Sequence, residues 1–340
     1  MSYSSRRALF ALGVSLLALT AAQAQPAAAP PAGRPQPESE ISLDSVSVTA
    51  TKTAGPAIDA LSGTSVVTQA QIQRVQPSRL STILRDVPGV ITQESQTNPA
   101  QAINIRGLQD FGRVNVLIDG ARQDFQTSGH NANGVFYLDP ELVGGVDITR
   151  GPTATIYGSG AIGGVVAFRT RSIDDILAPD ETAGFVQKQG FGTNGQTFLN
   201  TSALGARIGQ AADLFGQFTY RTNDPYRDGF GTLVRDTGNA LTSGLAKLSV
   251  RPADGHEIRG TALLQRFDFA NAGSSGAGAR FANAVQADTY SLGYRFARPD
   301  VPLVDLSLNG YTTTTRNALT FLADSPRGTY GRLGTKGGTG

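Results

Sequence analysis

The feature that most constrains this chain is a period-two alternation of apolar and polar residues in its second half. The clearest stretches are residues 214–221, 244–251, 257–265, 289–296 and 304–309. Successive side chains of a β-strand point to opposite faces, so each stretch predicts a strand with one apolar and one polar face. A helix would instead need apolar residues about every 3.6 positions. The second half is therefore predicted to be a sheet of strands.

The lengths of these strands and of their connections indicate what kind of sheet this is. Strands are expected to begin near residues 183, 197, 213, 243, 257, 288 and 303, about seven in all. Connections near residues 209–211, 252–255 and 298–300 are short, whereas those at 223–240 and 270–286 are long. Such antiparallel segments of about ten residues, with aromatic ends, are typical of a transmembrane β-barrel with short periplasmic turns and long external loops. A soluble β-sandwich is the alternative.

The N-terminus has the pattern of an export signal. Arg6 and Arg7 precede an apolar run from Ala8 to Leu19, and Ala22-Gln23-Ala24 forms a small-x-small cleavage site. The run is short for a bilayer span, which leaves a membrane anchor as the weaker alternative. Residues 25–40 are rich in alanine and proline and predict an extended tether.

Residues 55–172 predict a small α+β domain. Helices are expected at residues 69–75 and 78–87, the second with Ser78 as its N-cap. A helical turn is expected from Asp139, with Pro140 at its first position. Short strands are expected at residues 65–68, 90–92, 102–106, 114–118 and 146–148.

Three glycines near the end of this domain form a deceptive motif. Gly158, Gly160 and Gly163 spell G-x-G-x-x-G, the pattern of a dinucleotide-binding loop. That loop needs a helix after it, but Val165 and Val166 continue as a β-rich run. The glycines therefore predict a turn between two extended segments.

Composition excludes several kinds of chemistry. The chain of 340 residues has no cysteine, which excludes disulfides, thiolate metal sites and thiol nucleophiles. A net charge of +2 gives no reason to expect a nucleic-acid partner. No nucleophile, base and acid stand together in a suitable context, so we expect neither an enzyme nor a catalytic cofactor.

Motifs in the first 172 residues resemble those of TonB-dependent outer-membrane receptors. Residues 44–50 are similar to a TonB box, and residues 105–107 and 116–120 are similar to motifs of the plug domain. Residues 150–152 and 157–166 are similar to the closing signature of the plug. More narrowly, residues 129–134, 136–141 and 168–170 resemble the heme and hemoglobin receptor branch of the family.

The resemblance implies a 22-stranded barrel filled by the plug, in the outer membrane of a Gram-negative bacterium. Transport would be energised by TonB with ExbB and ExbD. We divide the chain into a signal peptide (1–24), a tether (25–40), a TonB box region (41–54), a plug domain (55–172) and the first barrel strands (173–340). About seven strands cannot close around a plug of this size, so we expect an incomplete barrel and a truncated chain.

The TonB box region is predicted to act by strand addition. The box itself comprises Asp44, Ser45, Val46, Ser47, Val48, Thr49 and Ala50. This short β-branched segment lies between the tether and the Gly55-Pro56 break, so its backbone groups could pair with the sheet edge of TonB. The alternative is the first strand of the following domain.

The ligand is expected to be heme, as transported cargo. Imidazole is a common axial ligand of heme iron, and His130 and His256 are the two histidines. The Gly/Asn/Ser-rich loop of His130 would lie at the external apex of the plug, and we select His130 as the candidate ligand; an unliganded loop histidine is the alternative. Tyr137 is a second candidate donor or a packed residue. His256 is expected to be solvated in a periplasmic turn.

Active import of heme from hemoglobin or other heme proteins is thus the function that the resemblance implies. The alternatives are a ferric-siderophore receptor with the same mechanism and a non-transporting structural barrel of the cell surface. Lipid of the outer membrane would surround the strands in each case.

Overall fold

The computed structural model describes residues 46–47, 55–56, 63–108, 112–126, 134–152, 159–195, 197–272, 280–298, 300, 303–322 and 335–339. The signal peptide and the tether lie outside the described residues, as do the loop that contains His130 and most of the TonB box region. No helix among the described residues is long and apolar enough to cross a membrane.

The N-terminal domain is built on a mixed five-stranded sheet with the order β3-β8-β9-β6-β7. Its strands are β3 (Gly63–Val67), β6 (Val114–Ile118), β7 (Ala121–Gln123), β8 (Val143–Arg150) and β9 (Gly164–Thr170). Strands β6 and β9 run parallel, and the other pairs are antiparallel. Two two-stranded pairs complete the β-structure of this domain: β1 (Val46–Ser47) with β2 (Gly55–Pro56), and β4 (Val90–Ser95) with β5 (Asn98–Ile105).

Two helices cover the sheet, one as predicted and one shorter than predicted. Helix α1 spans Gln69–Val75, and Thr68 and Gln71 form a reciprocal capping box at its start. Helix α2 spans only Leu80–Leu84, and its N-cap is Arg79 rather than Ser78. The predicted helix 78–87 was therefore too long. Ser78 is used elsewhere, because its carbonyl oxygen accepts a hydrogen bond from Arg221 in the second half of the chain. The predicted turn at Asp139 is a 3-10 helix at Pro140–Leu142.

The glycine-rich stretch is a connection between two strands and not a nucleotide loop. Strand β9 begins at Gly164 directly after the motif and pairs with β8, so no helix N-terminus is present to hold a phosphate. Gly160 has φ +91°, and a Cβ atom there would lie 2.1 Å from the carbonyl oxygen of Gly112. Glycine is thus required by close backbone approach.

The second half forms one antiparallel sheet of eight strands, which we call the wall. In chain order these are β10 (Ala183–Phe191), β11 (Phe198–Ile208), β12 (Ala212–Asn223), β13 (Asn239–Val250), β14 (His256–Ala272), β15 (Arg280–Ala297), β16 (Asp305–Phe321) and β17 (Thr335–Thr339). Each strand pairs with its sequence neighbours. All seven predicted strands are present, and β17 is an eighth. Strands β14 and β15 are longer than predicted, so the connection placed at 270–286 shrinks to 273–279.

The wall buries its polar face and exposes its apolar face. Large apolar side chains that point outward include Leu204, Leu214, Phe218, Leu248, Leu264 and Leu292, each more than 40% exposed. Polar side chains that point inward and are buried include Gln217, Thr219, Arg221, Ser243, Gln265, Asn283 and Asn317. A soluble sandwich would bury the apolar face, so that alternative is wrong. The pattern is that of a wall between lipid outside and a protein-filled interior.

The interior against which the wall packs is the N-terminal domain. One core cluster joins Ile148, Val166 and Phe168 of the N-terminal sheet to Phe215 and Leu263 of the wall. The connections β10–β11, β12–β13 and β14–β15 lie on one side of the wall, here called the long-loop side. The connections β11–β12, β13–β14 and β15–β16 lie on the other, the short-turn side. The chain enters the wall from the short-turn side, through the 3-10 helix at Ile173–Asp175.

Candidate functional site

A buried ionic cluster joins the N-terminal domain to the wall. The 3-10 helix at Pro140–Leu142 places the carboxylates of Asp139 and Glu141 against strands β10, β12 and β13. Lys188 Nζ lies 2.8 and 3.1 Å from the two carboxylate oxygens of Glu141, and Arg221 Nη2 lies 3.5 Å from Glu141 Oε1. Ser243 Oγ donates to Asp139 Oδ2 at 2.5 Å. Two acids of one domain thus meet two cations of the other.

Burial governs the electrostatics of this cluster. Asp139 is fully buried, and desolvation raises the pKa of its carboxyl above the ordinary value, although Arg221 and Ser243 act in the opposite direction. Removing one partner of such a buried pair leaves an uncompensated charge, which costs about 3–5 kcal/mol. The cluster therefore fixes one orientation of the domain against the wall.

Two inward glutamines satisfy the backbone on either side of Asp139. Gln265 accepts from the Asp139 N–H at 2.8 Å and donates to the Tyr137 carbonyl at 3.1 Å. Gln217 donates to the Glu141 carbonyl at 2.9 Å. Because buried backbone groups need partners, these amides make the segment 137–141 stable only when it is docked.

A second contact lies nearer the short-turn side. Lys247 Nζ is 3.1 Å from Asp119 Oδ2 and 3.1 Å from the Thr170 carbonyl. Asp119 in turn accepts from the Thr170 N–H at 2.8 Å, which ties the end of β6 to the end of β9. The turn at Asp119-Gly120 is thus also a wall contact.

An aromatic cluster holds the ends of the loop that contains His130. Phe125 and Val135 form a β-bridge, and the loop 127–133 between them lies outside the described residues. Phe125 and Tyr137 pack with Leu241, Phe267 and Phe269 of the wall. Since Phe269 and Leu241 belong to the strand ends next to the long loops, both loop ends are anchored on the long-loop side.

Tyr137 is a packed residue in this structure. It is 3% exposed, and its ring centroid is 5.2 Å from that of Phe267. Burial raises the pKa of its phenol above the ordinary value. A buried neutral phenol is unsuited to ligate iron, so of the two interpretations of Tyr137 the packed one holds.

A cavity of about 570 Å³ opens beside the ionic cluster. It lies between the N-terminal domain and the wall on the long-loop side, where Arg79, Gln101 and Glu141 face Tyr226 and Phe267. Its size is within the range of small-molecule sites, about 300–1,000 Å³. Apolar rings and charged groups line it together, so it can hold an amphipathic ligand.

His256 differs in part from the prediction. It lies on the short-turn side, as expected, but it is the first residue of β14 rather than a solvated turn residue. Its Nδ1 lies 2.8 Å from Tyr294 Oη, and its ring packs 4.7 Å from that of Phe296. The strand ladder begins one residue earlier than the Asp-Gly turn predicted, which brings the imidazole onto the wall beside these rings.

Of the TonB box region, the structure describes Val46 and Ser47. They pair antiparallel with Pro56 and Gly55, which makes two residue pairs among the described residues. Asp44, Ser45, Val48, Thr49 and Ala50 lie outside the described residues. The predicted strand therefore has a short partner within its own chain.

The sequence did not lead us to the residues of the wall that form ionic contacts with the N-terminal domain. Lys188, Arg221 and Lys247 stand on the polar faces of their strands, and no role was assigned to them. A cation in the middle of a strand whose opposite face is apolar was the available signal, because such a charge needs a buried partner. Which acid meets it could be learned only from the fold.

Comparisons with known proteins agree with this architecture. Residues 56–165 match the family described as TonB-dependent Receptor Plug Domain. The chain is 37% identical over 143 residues to a hemin receptor of Yersinia pestis, a match that covers 42% of this chain and 20% of that relative. It also superposes on the hemophore receptor HasR of Serratia marcescens, solved with its hemophore HasA and heme, with TM-score 0.68 and 29% identity. That match covers 76% of this chain and 38% of HasR.

The same fold occurs in receptors of other names. The ferric enterobactin receptor of Pseudomonas aeruginosa superposes with TM-score 0.59 at 21% identity, over 81% of this chain and 43% of that one. At this identity the likeness concerns the fold alone.

Residues 56–165 thus match the plug domain of TonB-dependent receptors, and the antiparallel wall against which they pack has the fold of such a receptor. The relatives of the chain by sequence include proteins described as hemin receptors and as a heme/hemopexin utilization protein. It spans about a fifth to a quarter of the length of these relatives.

Proposed function

We propose that this protein takes part in the active import of heme across the outer membrane of a Gram-negative bacterium. The observation that carries the proposal is the 37% identity over 143 residues to a hemin receptor, together with a plug docked on the polar face of the wall. Heme is the transported cargo and not a resident cofactor. The relatives are receptors, so no enzymatic step is assigned to the chain.

The proposed route uses both sides of the wall. Ligand arrives on the long-loop side, where the cavity of about 570 Å³ opens. TonB, energised by ExbB and ExbD, acts on the region 41–54 at the opposite end of the plug. We keep the domain limits predicted from the sequence as part of this proposal, namely 1–24, 25–40, 41–54, 55–172 and 173–340.

His130 is the proposed axial ligand of heme iron. The support is indirect: the bridge between Phe125 and Val135 holds both ends of its loop on the long-loop side. His256 serves as the matched control, because it is the other histidine and lies at the short-turn end of β14.

The experiment is growth of an iron-starved bacterium that expresses the protein from its own gene, with hemin as the iron source. We expect His130→Ala to reduce growth on hemin and to weaken the Soret band of the purified protein, while His256→Ala leaves both at the parental level. Equal growth and equal Soret spectra of the two variants would contradict the assignment of His130.

Import of a ferric siderophore is the second candidate, because the ferric enterobactin receptor shares the fold. A purified parent that gives no Soret shift with hemin, yet supports growth on a ferric siderophore, would establish this candidate and exclude heme. A parent that supports growth on neither would favour a structural role in the surface.

A further inference from the structure

One buried cation at the boundary between the plug and the wall has a neutral amide as its partner. Arg171, the residue that directly follows β9, is 9% exposed. Its Nη1 donates to Gln217 Oε1 at 3.3 Å, and its Nε has no hydrogen-bond partner among the described residues. In the part of the chain that the structure describes, the guanidinium forms no ion pair with a carboxylate. Its positive charge is thus desolvated without a counter-charge.

The two carboxylates whose charge reaches Arg171 are bound to other cations. Asp175 accepts two hydrogen bonds from Arg169, at 2.7 and 2.9 Å. Glu141 accepts two from Lys188, at 2.8 and 3.1 Å. Burial lowers the pKa of the Arg171 guanidinium, and the charges of Asp175 and Glu141 offset this effect only in part.

A desolvated cation of this kind opposes docking of the plug on the wall. Taking a charge out of water costs free energy unless an opposite charge or several hydrogen bonds compensate for it. One hydrogen bond from Arg171 to a neutral amide offsets little of that cost. When the plug separates from the wall, water can hydrate the guanidinium, so its hydration favours separation.

Arg171 lies at the point where the chain leaves the plug. Its backbone N–H donates to the Leu142 carbonyl at 2.8 Å, and the 3-10 helix Ile173–Asp175 begins two residues later. Gln217, which accepts from its side chain, lies on β12 and also donates to the Glu141 carbonyl at 2.9 Å. Arg171 therefore contacts both sides of the interface that has to open if the plug moves.

Arg221 is a compensated cation at the same interface. Its Nη2 lies 3.5 Å from Glu141 Oε1 and 3.9 Å from Asp139 Oδ1, and its Nη1 donates to the Ser78 carbonyl. It is 7% exposed, so its burial is similar to that of Arg171. Because the two arginines differ in their partners and not in their burial, they separate the effect of a lone charge from that of a paired one.

We propose that Arg171 is a built-in destabilising element that keeps the docked plug easy to release from the wall. Its charge raises the free energy of the docked state and so lowers the work needed to separate the plug from the wall. This inference rests on the proposed function only in taking the plug to move during import; the effect on docking is measured separately.

The separation of the plug from the wall can be measured with one introduced cysteine, because the chain has none of its own. Ala203 of β11 is 1% exposed and belongs to the core cluster that joins the two parts. In an Ala203→Cys background, the rate of labelling by a water-soluble maleimide reports how often this interface opens. We expect Arg171→Met and Arg171→Gln, which both remove the charge, to slow labelling about tenfold. Arg171→Lys, which keeps the charge, should be labelled near the parental rate.

Arg221→Met is the matched control. It should speed labelling, because it leaves Glu141 without one of its cations. Release of the plug during import is read as growth of the iron-starved bacterium on hemin. We expect both neutral variants of Arg171 to grow more slowly than the parent, while hemin binding by the purified proteins stays at the parental level.

Labelling at or above the parental rate in both neutral variants would overturn the proposal, because the guanidinium would then stabilise docking or contribute nothing to it. Slower labelling together with parental growth on hemin would overturn the role of Arg171 in release. A parent that imports no hemin, while the labelling rates follow the expected order, would contradict the proposed function and leave the effect of Arg171 on docking in place.

Discussion

At the scale of single residues, the plug has positions where the backbone leaves no room for a side chain. Gly164 has φ +138°, and a Cβ atom there would lie 2.2 Å from the carbonyl oxygen of Thr149. It starts β9, the strand that pairs with both β8 and β6. The sequence predicted a turn at Gly158, Gly160 and Gly163, but it could not tell that the next glycine, Gly164, lets β8 and β9 come together.

We therefore expect Gly164→Ala to lower the free energy of unfolding of the plug by roughly 2–3 kcal/mol, through backbone strain and steric overlap. Urea unfolding of the protein in detergent micelles measures it. Gly244→Ala is the control, since a Cβ atom at that position would meet no atom within 4 Å. Equal midpoints for the two variants would show that β8 and β9 can separate without loss.

At the scale of elements, the strands were more predictable than the helices. The alternation of apolar and polar residues predicts both where a strand lies and which of its faces is apolar. All seven predicted wall strands are found. Helix α2 begins later than predicted, and Ser78 and Arg79 in front of it are held by contacts outside the helix. Local capping signals cannot reveal such distant partners, and for the same reason the pairing of Lys188 with Glu141 was not foreseen.

The strand β1 is the element on which we expect force to act. Within the part of the chain that the structure describes, two residue pairs join it to β2, so we expect it to leave that partner at little cost and pair with another sheet edge. We expect Val46→Pro and Val48→Pro to abolish transport and to leave ligand binding unchanged, because proline cannot donate to a ladder. Growth on hemin and hemin binding measure the two effects.

The control for these prolines is Val46→Ala, which keeps the backbone N–H. Transport that survives both prolines would rule out strand addition in this region. A loss of binding as well as transport would mean that the prolines damage the plug itself.

At the scale of the whole molecule, the plug is held by a small number of buried polar contacts rather than by an extended apolar interface alone. Asp139, Glu141, Lys188 and Arg221 form the largest of these groups. The raised pKa of Asp139 makes the strength of this contact depend on pH. An acid whose pKa is higher in the folded state stabilises the fold below its unfolded pKa, about 3.9, and this stability is lost as pH rises through the folded pKa.

We expect Asp139→Asn to remove this dependence. The thermal midpoint of the parent minus that of the variant should increase as pH falls from 7 towards 4, because the parental carboxyl takes up a proton that the amide does not need. Midpoints measured in micelles at four pH values give this difference. A difference that is constant with pH would show that Asp139 titrates alike in the folded and unfolded chain.

The wall exposes its apolar face and buries its polar face, and this arrangement also bears on how such a chain reaches its membrane. Apolar residues occupy about every second position of its strands, so a strand has an apolar face only after it has folded. Before that, polar residues interrupt the apolar ones along each strand, so the extended wall strands offer no long continuous apolar stretch that would hold them in the first bilayer that they meet. The alternation that builds the wall thus has a second consequence. The unfolded strands stay hydrated during export, and they present an apolar surface to lipid only after they have paired into the sheet.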